Sequence, residues 1–317
     1  MNVSRLIPTA AVAGAVVLGL TALTACSASD AADHKNGDKL NVVASFYPMQ
    51  FLAEQIGGKH VSVSTLTKPG AEPHDLELTP RQIGGLGDAD YILYLKGVQP
   101  AVDDAIKQSG SKDSVDASTL TRLEDHGTET GGDEHGHEHH GDEAGADPHI
   151  WLDPVKYAEV AKGVGKSLEK TDPDHAADYR KNTDALVDKL DALNTAYETG
   201  LKDTATKTFI TTHSAFGYLA ERYGLTQEGI AGIDPEAEPT PARISEIHTV
   251  AKKNKVTTVF FETLASDKTA KTLAKDTGLK TGVLDPLEGI TDKSKGDDYF
   301  EVMQSNLAAL QKALGAK

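Results

Sequence analysis

Cysteine is almost absent from the chain. Cys26 stands alone among 317 residues, so no disulfide can form within it. Aromatic residues make up only 5%, and Trp151 is the one tryptophan. Positive charge is in deficit, 32 Lys and Arg against 48 Asp and Glu, a net charge of −16. That excludes nucleic acid as a natural partner, because a polyanion binder needs clustered Lys and Arg. An acidic total suits cations, although part of it is the solvated acidic run at 124–147. The 38% hydrophobic and 25% charged fractions are those of a soluble globular protein, and the length favours about two domains.

One long apolar run is present, Leu6 to Leu23, behind the short basic start Met1 to Arg5. It ends in Leu23-Thr24-Ala25-Cys26 and gives way to polar sequence, which marks a secretory signal at 1–25. The ending resembles a bacterial lipobox, in which Cys26 becomes the lipidated first residue; an uncleaved anchor is the competing reading. Both place the globular part outside the cytoplasmic membrane, tethered by residues 26–38.

From Lys39 short apolar runs alternate with helical stretches, the pattern of a parallel α/β sheet. LNVVAS at 40–45, HVSVSTL at 60–66 and DYILYL at 90–95 read as strands. Thr79-Pro80 opens a helix, with Thr as N-cap and Pro at the first helical position. Residues 121–147 lack aliphatic periodicity and read as a disordered loop carrying His126, His135, His137, His139 and His140. Beyond it a helix runs from Pro154. A longer one runs to about Leu201, with Leu186, Leu190, Leu193 and Tyr197 on one face. TFITT at 208–212, VTTVFF at 256–261 and 279–284 give a second set of strands. The expected organisation is an N-terminal α/β lobe at 39–172, a linker helix at 173–202 and a C-terminal α/β lobe at 203–317.

Four polar residues recur in one kind of place. His74 lies in the loop after the strand at 60–66, His213 directly follows TFITT, Asp285 directly follows Leu284, and His149 closes the histidine-rich run just before Trp151. Ligands of open α/β sheets bind beyond the carboxyl ends of strands, so a cleft between two lobes could bring these four together. Three imidazoles and a carboxylate suit tetrahedral Zn²⁺; Mn²⁺ prefers more oxygen, while copper and nickel also accept imidazoles. Asp285 has a plainer alternative, capping the turn at Asp285-Pro286. The histidine tract defines no geometry, so it reads as a weak, exchangeable cation collector or a solvated spacer. Gly163-Val164-Gly165-Lys166-Ser167 is no phosphate loop, because Val160 stands where its first glycine belongs. Ser214 beside His213 forms no triad, and no nucleophile has a base.

These residues resemble a family: the metal-binding lipoproteins of bacterial zinc/manganese-class ABC importers, in its zinc branch. The matching words are Phe46-Tyr47-Pro48, Pro73-His74-Asp75-Leu76-Glu77-Leu78-Thr79-Pro80, Asp147-Pro148-His149-Ile150-Trp151-Leu152-Asp153-Pro154, the run Thr212 to Leu219, Pro235 to Pro241, and Leu284-Asp285-Pro286-Leu287. The resemblance implies two Rossmann-like lobes with parallel sheets, joined by one long rigid helix, with the metal in the cleft between them. It implies His74, His149 and His213 as ligands, with Asp285 the best match for a variable fourth position and Glu72 or Glu262 weaker ones. It also implies Zn²⁺ as cargo, a membrane permease as partner and no catalysis. The chain is expected to act as a monomer. Two other readings compete: a secreted zinc hydrolase with an open fourth position, and a surface adhesin or metal buffer built around the histidine tract.

Overall fold

The computed structural model describes residues 39–109, 113–126 and 146–317, and Asp38 to Lys317 form one compact unit. Its N-terminal sheet contains β1 (Leu40–Ala44), β2 (Val61–Thr65), β3 (Tyr91–Tyr94) and β4 (Ser114–Asp116). All pairings are parallel, in the order β2-β1-β3-β4. The second sheet repeats this plan with β5 (Thr208–Thr211), β6 (Thr226–Gly229), β7 (Thr258–Phe261) and β8 (Lys280–Val283) in the order β6-β5-β7-β8. The sequence pattern shows six of these eight strands. SVD and TQEG, the edge strands β4 and β6, are too short and polar to show alternation.

Parallel strands need crossovers, and these are the helices α1 (Tyr47–Gly57), α2 (Pro80–Gly87) and α3 (Pro100–Ser109) in the first lobe. α6 (Gly217–Arg222), α7 (Pro241–Lys253) and α8 (Lys268–Thr277) serve the second. Thr79 closes a full capping box at the start of α2: its hydroxyl accepts from the Gln82 amide and the Gln82 side chain accepts from the Thr79 amide. Thr240 caps α7 through the Arg243 amide.

Between the two sheets in chain order come α4 (Pro154–Thr171) and α5 (Ala176–Leu201), and α9 (Tyr299–Leu314) is the last helix. The 26 residues of α5 span roughly 40 Å at about 1.5 Å each. Tyr179, Thr183, Leu186, Leu190, Leu193, Tyr197 and Leu201 are its buried face. Its two ends are bonded to different lobes. Asn182 donates to the Ile56 carbonyl at the end of α1 (2.9 Å), and the Tyr197 hydroxyl donates to the Met303 carbonyl of α9 (2.7 Å). A helix held this way acts as a strut, because bending it breaks its own backbone bonds. None of the helices among the described residues is long and apolar enough to cross a membrane.

The glycines of the false phosphate loop are packing residues. A Cβ on Gly165 would lie 2.2 Å from the Thr183 hydroxyl oxygen where α4 meets α5, and one on Gly163 would lie 2.8 Å from Leu120. Gly165→Ala should therefore destabilise the fold by about 1–3 kcal/mol through overpacking. This is expected although alanine is the better helix former by about 1 kcal/mol. Gly84→Ala in α2, where a Cβ meets nothing within 4 Å, should stabilise instead. Urea midpoints of the two variants check the opposite signs.

Candidate metal centre

The site is assembled from four separate segments. His74 lies in the long β2–α2 loop, and its backbone amide donates to Glu72 Oε1 at 3.2 Å. His213 lies two residues past the end of β5, and Glu262 directly follows β7. β5 and β7 are neighbouring strands whose connections leave in opposite directions, the position at which α/β sheets bind ligands. His149 precedes a short 3-10 turn, Ile150–Leu152, that leads into α4. The Asp153 carboxylate caps α4 through the Val155 amide and pairs with Arg222 of α6 at 2.6 Å.

One ligating atom each from His74, His149, His213 and Glu288 lie within 4.8 Å of one another. The Glu288 Oε1 atom is 3.4 Å from the Nε2 of each of the three histidines. A tetrahedron with bonds of about 2.1 Å has edges of about 3.4 Å, so these three spacings match edges of a zinc-sized ion's donor shell. The three Nε2 atoms and both Glu288 oxygens are buried without a hydrogen-bond partner among the described residues. Buried polar atoms are otherwise nearly always paired, at about 1–3 kcal/mol for each failure. The orphaned atoms are the ones that converge.

The rings are oriented from behind. His149 Nδ1 lies 2.7 Å from Asp147 Oδ1, and His213 Nδ1 lies 2.8 Å from Glu262 Oε1. An ionised carboxylate only accepts, so in the neutral imidazole each Nδ1 carries the hydrogen and the Nε2 lone pair faces the cluster. Asp147 also accepts from the His149 amide at 2.9 Å and from His126 Nδ1 at 3.0 Å. Burial alone would raise the Asp147 carboxyl, but bonds from His126 and His149 hold it below the usual range. Burial alone would lower His149 and His213; Asp147 and Glu288 raise the first, and Glu262 and Glu288 lift the second well above its ordinary value. Burial would raise Glu288 too, and the surrounding imidazoles hold it well below.

Asp285 is not brought to this cluster. Its Oδ1 accepts from the Leu287 amide at 2.9 Å, and its Oδ2 accepts from Thr263 at 3.1 Å and Ser294 at 2.9 Å. Asn306 bonds both its amide and its carbonyl. The carboxylate is consumed in shaping the turn, which is its plainer alternative. Leu287, buried and held at φ 59°, then swings the chain so that Glu288 enters the cluster. Glu288 stands one residue beyond the word Leu284 to Leu287. A strand-end argument selects the first acid after the strand, and the left-handed residue that presents a later one leaves no mark in the sequence. Glu72 and Glu262 are adjacent to the cluster, in a second group with Glu288.

Trp151 ties the segments together. Its indole N–H donates to the Pro286 carbonyl at 2.7 Å, its carbonyl accepts from the Tyr299 hydroxyl at 2.7 Å, and its ring meets Phe46 edge-on at 5.0 Å. His126 is held rather than free: Nε2 lies 2.7 Å from Glu221 and the ring meets Tyr218 at 4.3 Å. It forms a smaller, more exposed group with Glu124 and Glu221. His135, His137, His139, His140 and Cys26 lie outside the described residues.

Comparisons with known proteins identify a family. A family model described as the periplasmic zinc-uptake complex component A, ZnuA, matches residues 42–313. The chain is 41% identical over 295 residues to the high-affinity zinc uptake system protein ZnuA of Bacillus subtilis, covering 92% of each. It is 38% identical to the zinc-binding lipoprotein AdcA of Streptococcus pneumoniae, over 91% of this chain but 58% of that protein. The crystal structure of the Zn(II)-bound ZnuA-like domain of that AdcA superposes with a TM-score of 0.72 at 34% identity, covering 87% of this chain and 99% of that one. The match takes in both sheets, the connecting helix and the whole cluster, and the chain belongs to the periplasmic zinc-uptake component A family.

Proposed function

We propose that this protein captures Zn²⁺ outside the cytoplasmic membrane and hands it to the permease of an ABC importer, with His74, His149, His213 and Glu288 as the metal ligands. One observation carries the reading: a single buried carboxylate oxygen 3.4 Å from three imidazole nitrogens. Three imidazoles with one carboxylate favour zinc over manganese. The family is a metal-binding transport component and not an enzyme family. Glu288 in the fourth position also argues against hydrolysis, which needs that position open to water. A lipid on Cys26 is the proposed membrane anchor, and the protein is proposed to work as a monomer. The strut-like α5 supports small adjustments of the loops carrying His74 and Glu288 over a wide hinge motion.

His74→Ala, His149→Ala and His213→Ala should each abolish the one tight zinc site, measured by competition against a chromogenic chelator. Glu288→Gln should weaken it more than Asp285→Asn. Deletion of residues 127–143 should leave it in place. One tight zinc retained by the triple histidine variant would sink the assignment. Asp147→Asn should keep the stoichiometry and lower the affinity about 10–100-fold, since it loosens the partner that orients His149.

Zinc takes neutral imidazoles, whereas His149 and His213 have raised pKa values in the metal-free protein. A raised pKa means protons bound over a wider range, and these must leave when the metal enters. Affinity should therefore rise with pH through the histidine range. Titration calorimetry in buffers of different ionisation enthalpy should show net proton release near pH 7.

A further inference from the structure

Beside the three histidines lies a second convergence of donors. One carboxylate oxygen each from Glu72, Glu262 and Glu288 lie within 4.8 Å of one another. Glu288 is fully buried and Glu262 is 4% exposed. Glu262 Oε1 is engaged by His213 and Thr212, but its Oε2 has no hydrogen-bond partner among the described residues. Neither has Glu72 Oε2, nor either oxygen of Glu288. Oε1 of Glu288 faces the imidazoles, and its Oε2 is a second unsatisfied acceptor on the same group. No lysine or arginine pairs with any of the three among the described residues. Of the three, Glu288 also borders a cleft of about 190 Å³ lined by Tyr47, Gln50, Thr67 and Lys68.

We infer that Glu72, Glu262 and Glu288 form a second cation subsite that takes a hard divalent ion and shares the Glu288 carboxylate with the zinc site. The inference rests on the zinc reading, since Glu288 must serve both ions. An all-oxygen donor set suits hard ions such as manganese, magnesium or calcium, whereas the histidine cluster suits zinc. A shared carboxylate is compatible with two ions about 3.5–4 Å apart, as in other two-metal sites. The charges also suit a pair: three carboxylates and three neutral imidazoles face two divalent cations, leaving a net charge near +1. With one ion on the histidines, the subsite would accept a second as it arrives or departs, without either ion facing unscreened carboxylates.

The test uses the full chain carrying one equivalent of zinc, titrated with Mn²⁺. Free manganese is followed by its electron paramagnetic resonance signal, and bound metal is measured by elemental analysis after gel filtration. The expected result is uptake of one further manganese with zinc retained, and at least tenfold weaker manganese binding in Glu72→Gln, which still retains one zinc and so reports an intact fold. Manganese that enters only as zinc leaves would overturn the inference, as would equal uptake by Glu72→Gln and the unaltered chain. Failure of the unaltered chain to hold one zinc would overturn the zinc reading, and this one with it. One zinc without manganese would overturn this inference alone.

Discussion

The buried carboxylate of Glu288 is the constraint on which the rest depends. An ionised carboxylate removed from water is strongly unfavourable unless compensating charge is placed against it. Here the compensation comes from imidazoles on three distant segments, each 3.4 Å away. The three Nε2 atoms and both Glu288 oxygens have no hydrogen-bond partner among the described residues, which is the arrangement a cation would complete. The surrounding features keep these atoms in place. Asp147 and Glu262 fix two of the rings, Asp285 and Leu287 shape the turn, and Trp151 bonds that turn to the His149 segment.

The architecture around the cluster is built from two similar halves and one long helix. The two sheets share one strand order, and loops of both carry residues of the cluster. Near its two ends the helix is bonded to α1 and to α9, so one rigid element links the two lobes. The base of the histidine-rich segment is likewise tied down. The Tyr218 hydroxyl accepts from the Glu124 amide and donates to the Asp147 carbonyl, and Asp147 joins His126 to His149. The first histidine of that segment is thus part of the scaffold behind the site.

Much of the fold is legible in the sequence, because burial on both faces of a parallel strand leaves continuous apolar runs such as LNVVA and YILY. Thr79-Pro80 and Thr240-Pro241 mark helix starts because capping is local chemistry. The edge strands β4 and β6 leave no such trace, since an edge strand is held by its neighbour's backbone rather than by its own side chains.

For the site, the sequence by itself determined which residue types were available and where the chain could offer them: histidines past strand ends, and one before the lone tryptophan. Those placements are local, set by strand ends and turn chemistry. Only the tertiary structure decided which acid completes the group. Asp285 and Glu288 are three residues apart and chemically alike. Which of them faces the histidines depends on Leu287 in a left-handed conformation and on bonds to Thr263, Ser294, Asn306 and Trp151. Most of these partners lie some twenty or more residues away, Trp151 farthest of all, and no local pattern encodes a choice made by contacts that exist only after folding.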